Sequence, residues 1–345
     1  MSKTVVLLRR LKEPSAQTGI GAYTDNIVKL LEQNSVEYGE VEMRMDLHSG
    51  VFRMLADGIV RPFFNTMGAK NDTKVFHSVD ELCCIFFPLI RKSKKVLTCH
   101  HLVSERDGDA VLLPAVRLAF WIGIRWADVV VTVSDQTRNE ILSRYDIDGS
   151  KVIAIPNRLS EEFVTLNIEK KKYIGCVSSL IPRKNVGSLL RIFKEFREAY
   201  GMDEYRLRIC GKGPEEEALK ALAEDLGIRD AVDFISGLSM KELLLFYNEA
   251  SIVANPSMHE GFGFATLEAQ ICSSPVVYFE DAEIPEEVVR FAVPARDESD
   301  FARIMHELLT DKEFYDKVVR EGQEYAGSFR GAQDRLLELY KELSE

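Results

Sequence analysis

The sequence feature that most constrains the fold is an alternation of short β-branched runs with helical segments. In the second half of the chain, five such runs are predicted strands, and amphipathic stretches long enough for helices separate them. These strands are 173–177, 206–210, 232–235, 252–255 and 275–279. Strands joined by crossover helices form right-handed units and lie parallel in one sheet. The sequence therefore predicts an α/β fold built on parallel sheets.

The first half repeats this pattern less regularly. Its predicted strands are 4–8, 41–45, 75–77, 96–100, 129–134 and 152–155. A polar and charged stretch, 159–172, follows them and marks the predicted boundary. A chain of 345 residues is long enough for two domains. We predict two doubly wound Rossmann-like domains, 1–165 and 166–327, which face a central cleft and bind ligands beyond the carboxyl ends of their strands.

The composition disfavours several classes of protein. The formal net charge is −11, and the first 165 residues carry 21 basic and 21 acidic side chains, so the acidic excess lies after them. A nucleic-acid-binding protein normally presents a basic face, so we expect no nucleic-acid partner. The sequence has neither an uncharged apolar stretch of membrane-spanning length nor the features of a signal peptide. Six scattered cysteines without a CxxC pair predict buried thiols in a cytoplasmic protein.

Four loops carry candidate functional residues, and the first is glycine-rich. Thr18-Gly19-Ile20-Gly21-Ala22 precedes a helix that is predicted to begin near Tyr23. Glycines before a helix let backbone amides approach an anion, which the helix dipole also favours. This makes Gly21 a candidate for phosphate binding. A flexible surface turn is the alternative interpretation.

The second loop is Ile181-Pro182-Arg183-Lys184-Asn185, between a predicted strand and a predicted helix. Arg183 and Lys184 suit a phosphate, because lysine is a compact charge and arginine binds through two parallel donors. A solvated charge pair at a helix start is the alternative. Cations oppose the helix dipole at that end, which favours the phosphate interpretation.

The third loop contains the motif HEGFGFATLE over residues 259–268. Four consecutive residues are predicted to turn their backbone amides toward a ligand at a helix N-terminus: Gly261, Phe262, Gly263 and Phe264. Glu260 precedes them, and Glu268 lies about one turn inside the helix. Amides for phosphate and carboxylates for hydroxyl groups together suit a sugar diphosphate. The alternative is a surface helix that carries two unrelated glutamates.

The fourth loop is Cys99-His100-His101-Leu102, directly after a predicted strand. Adjacent histidines at a strand end point to opposite sides, so a shared metal ion is not expected. If His100 faces the cleft, its imidazole can donate to or polarise a substrate group. A core or capping histidine is the alternative, and His77, at another strand end, is a weaker candidate.

These motifs resemble the retaining glycosyltransferases of family 4, which have the GT-B fold. The resemblance covers nearly the whole chain. Its most specific element is the Glu-x7-Glu pair, Glu260 and Glu268, within HEGFGFATLEA. Further matching segments are TGIGAYT, TCHH, VVTVSDQTRNEIL, IAIPN, PRKN, CGKGPEEEAL and SFRGAQDRLLELYKEL. In this family the last helix, here about 328–345, packs back on the N-terminal domain.

The resemblance implies a transfer of sugar from a nucleotide-diphosphate sugar, with retention of anomeric configuration and no cofactor or obligatory metal. It implies that the C-terminal domain binds the donor, with Lys184 on the diphosphate and Glu268 on the ribose hydroxyls. Glu260 and the amides that follow it are expected to hold the donor sugar. His100 is expected near the sugar or the reacting centre. Gly21 is expected to approach the diphosphate from the N-terminal domain, which would take the acceptor.

Two segments depart from the family pattern. The family usually has Gly-Arg after the first strand of the second domain, and this chain has Ser178-Ser179 there. The loss of that arginine weakens the expected phosphate site unless Arg183 compensates. The segment 280–297 lacks the family's glycine-rich turn, which leaves the shape of the sugar pocket open. A non-catalytic nucleotide-sugar-binding or scaffold protein is therefore the alternative function.

The acceptor is not identified by the sequence. The basic run 91–95 follows the apolar run LCCIFFPLI, and residues 50–67 combine apolar side chains with Arg53 and Arg61. Both segments resemble those of enzymes that contact a membrane surface. One hypothesis is therefore a lipid-linked acceptor and peripheral membrane contact. Ordinary core helices with solvated ends are the favoured alternative. A nicotinamide dehydrogenase is disfavoured, because no GxGxxG follows a strand in the first domain.

Overall fold

The computed structural model describes residues 3–11, 19–44, 56–69, 73–102 and 113–345. The chain forms two compact units, 1–158 with 331–345 and 159–330. The first unit therefore ends earlier than the predicted boundary at residue 165. Residues 159–165 pack in the second unit, where the Leu159 amide donates to the Phe329 carbonyl at 3.1 Å and the Thr165 hydroxyl donates to the Ile271 carbonyl at 2.9 Å.

The first unit is a parallel α/β sheet with helices. Its described strands are β1 (Lys3–Leu11), β2 (Tyr38–Arg44), β3 (Thr73–Ser78), β4 (Lys94–Cys99), β5 (Val129–Thr132) and β6 (Val152–Ala154). They lie in the order β2-β1-β3-β4-β5-β6, and every neighbouring pair is parallel. Its helices up to residue 158 are α1 (Gly19–Gln33), α2 (Arg61–Ala69), α3 (Leu113–Trp126) and α4 (Asp135–Arg144). A π-helical turn (Ala56–Val60) precedes α2, and a 3₁₀ helix (Glu81–Leu89) follows β3.

The second unit contains another parallel sheet. Its strands are β7 (Lys171–Val177), β8 (Arg206–Cys210), β9 (Val232–Ile235), β10 (Ala250–Asn255), β11 (Val276–Phe279) and β12 (Val293–Ala295). Its helices are α5 (Val186–Tyr200), α6 (Glu216–Asp225), α7 (Met240–Glu249), α8 (Phe264–Ile271), α9 (Glu286–Val289), α10 (Glu298–Thr310) and α11 (Lys312–Gly327). The sheet order is β12-β11-β10-β7-β8-β9. The α/β class with parallel sheets is thus as the sequence predicts.

The final helix, α12 (Asp334–Ser344), belongs to the first unit. Leu336, Leu337, Leu339 and Tyr340 are its buried residues, and they recur at helical spacing on one side. The preceding short 3₁₀ helix, Ser328–Gly331, ends where the chain returns from the second unit. The predicted range of the last helix, about 328–345, therefore includes three residues of the second unit.

Both cores lie between a sheet and its helices. In the first unit, β-strand residues such as Phe76 and Leu97 pack with Phe120 of α3. In the second, Ile174 and Ile209 of the sheet pack with Phe193 of α5. Each of these side chains is at most 5% exposed, so the two sheets are buried apolar surfaces as parallel sheets require. Within the described residues, no helix combines the length and the apolar character needed to span a bilayer.

One local prediction was wrong, and one strand was not predicted. Helix α1 begins at Gly19 and not near Tyr23, so Gly21 lies inside its first turn. The side chain of Thr24 helps to continue this helix by donating to the Ile20 carbonyl at 2.9 Å. Strand β12 was not predicted, because Val-Pro-Ala is too short for a periodic signal and proline weakens a strand assignment. Proline is tolerated there because β12 is the edge strand.

Candidate functional site

The order of the second sheet fixes where a ligand can bind. From β7 the chain moves outward to β8 and β9, and then returns to the other side of β7 to form β10. This reversal creates a topological switch point at the carboxyl ends of β7 and β10, where doubly wound sheets bind ligands. The loop after β7 contains Arg183 and Lys184, and the loop after β10 contains Glu260. The predicted residues therefore follow the two strands that flank the switch point.

Lys184 and Glu260 form an ion pair between these two loops, from Lys184 Nζ to Glu260 Oε1. Their side chains are only 12% and 13% exposed. Arg183 Nη1 lies 3.8 Å from Glu260 Oε2, and it donates to the His259 carbonyl at 2.8 Å. The Met258 amide donates to the Arg183 carbonyl at 3.0 Å. The two loops are thus joined by backbone and side-chain contacts, which bring three predicted site residues together.

The local chain geometry explains how Lys184 reaches this position. Pro182 begins a single 3₁₀ turn, Pro182–Lys184, and its fixed φ suits the first position of such a turn. Asn185 then adopts a left-handed conformation with φ 52°, one that asparagine tolerates better than most residues. This residue turns the chain into α5, so Lys184 projects from the loop instead of continuing into the helix.

The cluster of Lys184, Arg183 and Glu260 carries a net positive charge. Burial raises the pKa of Glu260, but the nearby Lys184 ammonium, with a smaller effect from Arg183, outweighs it and holds the pKa below its usual value. Glu260 is therefore ionised at neutral pH. Two cations against one carboxylate leave about one positive charge at the switch point, which favours an anionic ligand.

The glycine segment lies beside this cluster and begins α8. Gly263 is the N-cap with φ 100°, a conformation that residues with a side chain rarely adopt. A Cβ atom at this position would lie 3.8 Å from Cγ of Glu260, which shows how close the two residues are. Phe262 is buried against Phe264 and Phe329, so the segment is fixed by packing. The first turn of α8 consequently starts next to the charged cluster.

Glu268 occupies a different environment inside α8. The Tyr247 hydroxyl donates to its Oε2 at 2.8 Å. Burial raises the pKa of Glu268 to about 7, although the hydrogen bond from Tyr247 favours the ionised form. Neither Lys184 nor Arg183 perturbs this carboxyl group. Glu260 and Glu268 are therefore unlike carboxylates, one ionised and one poised between its two states at neutral pH.

Two glycines after β8 shape the loop that holds Ser179. The Leu180 amide donates to the Lys212 carbonyl at 2.9 Å and the Ser178 amide to the Cys210 carbonyl at 3.0 Å. A Cβ atom on Gly211 would lie 1.8 Å from the Ser178 carbonyl oxygen, and one on Gly213 would lie 2.1 Å from that of Leu180. Only glycine permits this approach. Ser179 itself is exposed.

In the first unit, His100 is buried after β4. Its Nε2 lies 3.1 Å from the Val79 carbonyl, which can only accept, so Nε2 carries the proton. Burial lowers the pKa of His100 to about 4, against the opposing effect of that hydrogen bond. The ring packs edge-on against Tyr23 at 4.7 Å between centroids. His100 is thus a neutral, tightly held imidazole, and His101 is only partly buried.

His77 is a core histidine, as its lower ranking in the sequence suggested. Its Nδ1 lies 2.5 Å from the Tyr340 hydroxyl of α12, and its Nε2 lies 2.7 Å from Thr98 Oγ1. Thr98 in turn bonds to the Tyr23 hydroxyl at 2.8 Å. Both ring nitrogens are therefore used in a buried polar chain between α12 and α1. Gly21 lies two residues before Tyr23, in the first turn of α1.

A cavity of about 290 Å³ in the first unit contains none of the predicted site residues. It is lined by Glu40, Glu42, Asp57, Arg61 and Asn65. Its three carboxylates are paired with two arginines, since Arg9 bridges Glu40 and Glu42 at 2.8 and 3.0 Å and Arg61 pairs with Asp57 at 3.2 Å. In the described part of the chain, no group of three His, Cys, Asp or Glu side chains could hold a metal ion.

Two partners of the site were not predicted from the sequence. Tyr247, on α7, could not be connected to Glu268 because no sequence signal links residues on separate helices. Glu283 binds His259 at 3.0 Å, and its carbonyl accepts from the Glu260 amide, which holds the Glu260 loop from the other side. By contrast, the Gly-x-Gly of 211–213 was a usable signal, since paired glycines after a strand indicate close backbone approach.

Comparison with family models identifies both parts of the chain. Residues 157–325 match the model described as glycosyl transferases group 1. Residues 60–162 match the model described as Glycosyltransferase Family 4. The first match spans β7 to β12 and includes Arg183, Lys184, Glu260 and Glu268. Most of the motifs on which the resemblance rested lie inside these regions, whereas TGIGAYT (18–24) and SFRGAQDRLLELYKEL (328–343) lie outside them.

Curated relatives carry the same kind of description at moderate identity. The chain is 27% identical over 206 residues to the O-antigen chain mannosyltransferase RfbU of Salmonella typhimurium, covering 55% of this chain and 57% of RfbU. It is 28% identical over 278 residues to the D-inositol 3-phosphate glycosyltransferase of Corynebacterium jeikeium, covering 72% and 66% respectively. The matched region thus spans less than two thirds of either relative.

The fold is also that of solved structures. The chain is similar to HepE of Anabaena, whose structure was solved in complex with UDP and glucose, with a TM-score of 0.76. This similarity covers 98% of this chain and 99% of HepE at 14% identity. At that identity the likeness supports the two-sheet GT-B fold, which the strand orders also show.

Proposed function

Because residues 157–325 of this chain belong to the glycosyl transferases group 1 and residues 60–162 to Glycosyltransferase Family 4, we propose that the protein transfers a sugar from a nucleoside-diphosphate sugar to a hydroxyl group. The observation that carries this proposal is the cluster of Arg183, Lys184 and Glu260 at the carboxyl ends of β7 and β10. It offers net positive charge where a doubly wound sheet takes its ligand.

Transfer of a sugar from a nucleoside diphosphate requires positive charge near the leaving diphosphate. When the bond between the sugar C1 and the diphosphate oxygen breaks, negative charge develops on the leaving diphosphate. Lys184 and Arg183 would stabilise that charge, together with the amides at the start of α8. Glu260 orients Lys184 in the absence of donor and would bind a donor-sugar hydroxyl when the cations turn to the diphosphate. This division of roles follows from its ionised state.

The remaining residues of the proposed donor site are Glu268 and Gly21. Glu268 would accept hydrogen bonds from ribose hydroxyls, and Tyr247 holds its carboxyl group in one orientation. Donor binding would favour the ionised form of Glu268, since hydroxyl donors stabilise a carboxylate. Gly21, in the first turn of α1, would contribute its backbone to the diphosphate.

We assign His100 to the sugar end of the reaction. As a neutral imidazole with its Nε2 proton held by Val79, it would act through hydrogen bonding and position and not as a cation. The transfer would retain anomeric configuration. Nuclear magnetic resonance of the product's anomeric proton tests this, and an inverted product would contradict the assignment.

We propose that no divalent metal is obligatory. The positive charge of Lys184 and Arg183 and the α8 amides supply the stabilisation that a metal ion would otherwise provide. Turnover that survives dialysis against EDTA supports this. A loss that Mg²⁺ or Mn²⁺ restores would contradict it.

The first experiment measures donor binding and turnover together. A thermal-shift panel with UDP, GDP, ADP and their glucose and mannose derivatives identifies the base, with NAD as the control. The sugars are chosen because RfbU is named a mannosyltransferase and HepE was solved with glucose. A ligand at 100 times its dissociation constant stabilises the folded state by about 2.7 kcal/mol. Release of the nucleoside diphosphate from the stabilising donor then measures turnover.

A non-catalytic nucleotide-sugar-binding protein is the second candidate. Two observations favour it. Exposed Ser179 lies where the resemblance leads us to expect an arginine. In addition, Lys184 and Arg183 already form ion pairs with Glu260. This candidate requires donor binding without product or donor hydrolysis. Turnover with any donor and acceptor rejects it. A panel without any thermal shift rejects donor binding and favours a scaffold protein, the other form of the non-catalytic alternative.

A further inference from the structure

The exposed apolar side chains of this protein are concentrated in one part of the first unit. Among the described residues, eight large apolar side chains are exposed, and seven of them lie between residues 59 and 126. They are Ile59 and Val60 of the π-helical turn, Phe64 of α2, Ile85 of the 3₁₀ helix, and Leu118, Trp121 and Trp126 of α3. The 3₁₀ helix packs against both α2 and α3, so these residues belong to neighbouring elements.

Helix α3 shows why its outer side is apolar without being part of the core. Its inner side packs through Gly123, where a Cβ atom would lie 2.8 Å from Cys84 Sγ and 2.9 Å from a Leu97 methyl group. Ala119 and Phe120 are buried on the same side. Leu118 and Trp121 are 56% and 57% exposed, so they do not contribute to that packing.

The charges of this helix have a single sign. Exposed Arg117 and Arg125 accompany Leu118 and Trp121, and α3 has no acidic residue. Tryptophan beside arginine on an exposed helix is the composition of surfaces that insert at the headgroup level of a bilayer. In the basic run 91–95, after the 3₁₀ helix, Arg91 and Lys92 are exposed, whereas Lys94 and Lys95 pair with Asp128.

We propose that the side of α3 that bears Leu118, Trp121, Arg117 and Arg125 docks on an anionic lipid bilayer. We call it the Trp121 face. The whole protein has a net charge of −11, so an anionic membrane would repel it on average. The second unit, 159–330, carries that entire excess, and docking through the first unit places the charge-balanced unit against the lipid. The proposal does not depend on the proposed function.

The apolar run 82–90 is not the membrane-contacting segment. Leu82, Cys83, Cys84, Phe86 and Phe87 are buried, as the core-helix interpretation of that run expects. Of residues 50–67, those before Ala56 lie outside the described residues, and Ile59 and Phe64 are exposed. Of the two segments that the sequence suggested for membrane contact, the apolar run is therefore largely buried, and the described end of the other has exposed apolar side chains.

The chain provides its own probe for docking, because its two tryptophans, Trp121 and Trp126, are both exposed on α3. Vesicles of equal parts phosphatidylglycerol and phosphatidylcholine should shift tryptophan emission to shorter wavelength and carry the protein into the pellet. Vesicles of phosphatidylcholine alone should do so much less. High salt should weaken the association, because it screens exposed charges.

Matched variants distinguish docking through the Trp121 face from nonspecific association with vesicles. Arg125→Ser should weaken vesicle binding about fivefold at low salt, whereas Arg320→Ser, at an exposed helical arginine of the second unit, should leave it unchanged. Leu118→Ser should weaken it several-fold, whereas Ile168→Ser, the eighth exposed apolar residue, should not. All four side chains are exposed, so the variants should fold, and circular dichroism checks this.

Three results would overturn the proposal. One is the absence of both the emission shift and co-sedimentation at low salt. Another is vesicle binding that Arg125→Ser and Leu118→Ser leave intact. The third is a concentration-dependent dimer in the absence of lipid that Leu118→Ser dissociates, since the Trp121 face would then bind a second copy of this chain. Sedimentation velocity measures that dimer directly.

Discussion

Lys184 and Glu260 lie 76 residues apart in the chain and form an ion pair that joins the loops after β7 and β10. Each side chain is nearly buried, and each comes from a strand that flanks the switch point of the second sheet. The pair holds a binding site together before any ligand is present. It also makes the stability of the second unit depend on residues that we assign to donor binding.

Removal of one member of this pair should be costly. Lys184→Met leaves Glu260 with Arg183 at 3.8 Å as its remaining cation, and unpaired buried charges cost about 3–5 kcal/mol. We expect a loss of about 3 kcal/mol in the free energy of unfolding, measured in urea. Lys171→Met is the control, because Lys171 is 61% exposed in its pair with Glu249 and should lose at most about 1 kcal/mol. Equal losses in the two variants would contradict the prediction.

The two histidines after β4 should differ in their effect on turnover. His100→Ala removes a buried ring that bonds to Val79 and packs on Tyr23, and we expect turnover to fall about a hundredfold or more. His101→Ala should have a milder effect. Steady-state turnover of the donor identified by thermal shift measures both, and thermal unfolding verifies that each variant folds. Similar losses for the two variants would remove His100 from the proposed reaction.

Glu268 should make the second unit less stable as the pH rises. Its folded pKa of about 7 lies above the ordinary value of 4.5, so the folded protein holds a proton that the unfolded chain releases. Its contribution to stability is therefore complete below about pH 4.5 and lost as the pH rises through about 7. Relative to wild type, Glu268→Gln should gain ~1–3 kcal/mol over this interval. Urea unfolding at a series of pH values measures the difference.

Tyr247→Phe is the matched variant for that experiment. It removes the hydrogen bond that favours ionised Glu268, so the pKa of Glu268 should rise further and the loss of stability should extend to higher pH. A constant difference between Glu268→Gln and wild type across the whole pH series would show that Glu268 titrates normally.

Gly211→Ala should disrupt the loop that carries Ser179. The new methyl group would meet a backbone carbonyl at 1.8 Å, and a backbone atom can move only if the β7–β8 connection distorts. We expect a loss of more than about 3 kcal/mol in unfolding free energy and weaker nucleotide binding. Gly187→Ala, near the start of α5, makes only ordinary contacts and should be neutral or stabilising by up to about 1 kcal/mol. Intact nucleotide binding in Gly211→Ala would contradict this account.

In the second sheet, the sequence predicted the strands on one side of β7 well and missed the strand at the opposite edge. Strands β8 and β9 have the predicted bounds because their β-branched runs end at clear turn residues. Strand β12 and the short helix α9 were missed, since Val-Pro-Ala contains a proline and a helix of four residues spans barely one turn. The segment that departs from the family pattern is the one that contains both. The helix and strand that were not predicted therefore lie in the same segment, 280–297, that departs from the family motif.

The candidate site was predictable as a list but not as an arrangement. Arg183, Lys184 and Glu260 could be chosen from their positions after strands, because the topology of a doubly wound sheet brings such loops together. The pairing of Lys184 with Glu260, and the difference in ionisation between Glu260 and Glu268, depend on burial and on Tyr247. Those contacts arise only when separate helices and loops pack, and no local pattern encodes them.

The return of α12 to the first unit has a consequence for biosynthesis. Residues 159–330 are contiguous and can fold as soon as the ribosome releases them, whereas the first unit must wait for its last fifteen residues. At translation rates of about 5–20 residues per second, roughly 10–35 s pass between the synthesis of residue 158 and the completion of those last residues. During this time His77 lacks the Tyr340 hydroxyl, and the sheet around it is uncovered where α12 will pack. The first unit, whose synthesis begins first, is thus completed last. A nascent chain stalled before Asp334 should therefore have a protease-resistant second unit and a protease-sensitive first unit.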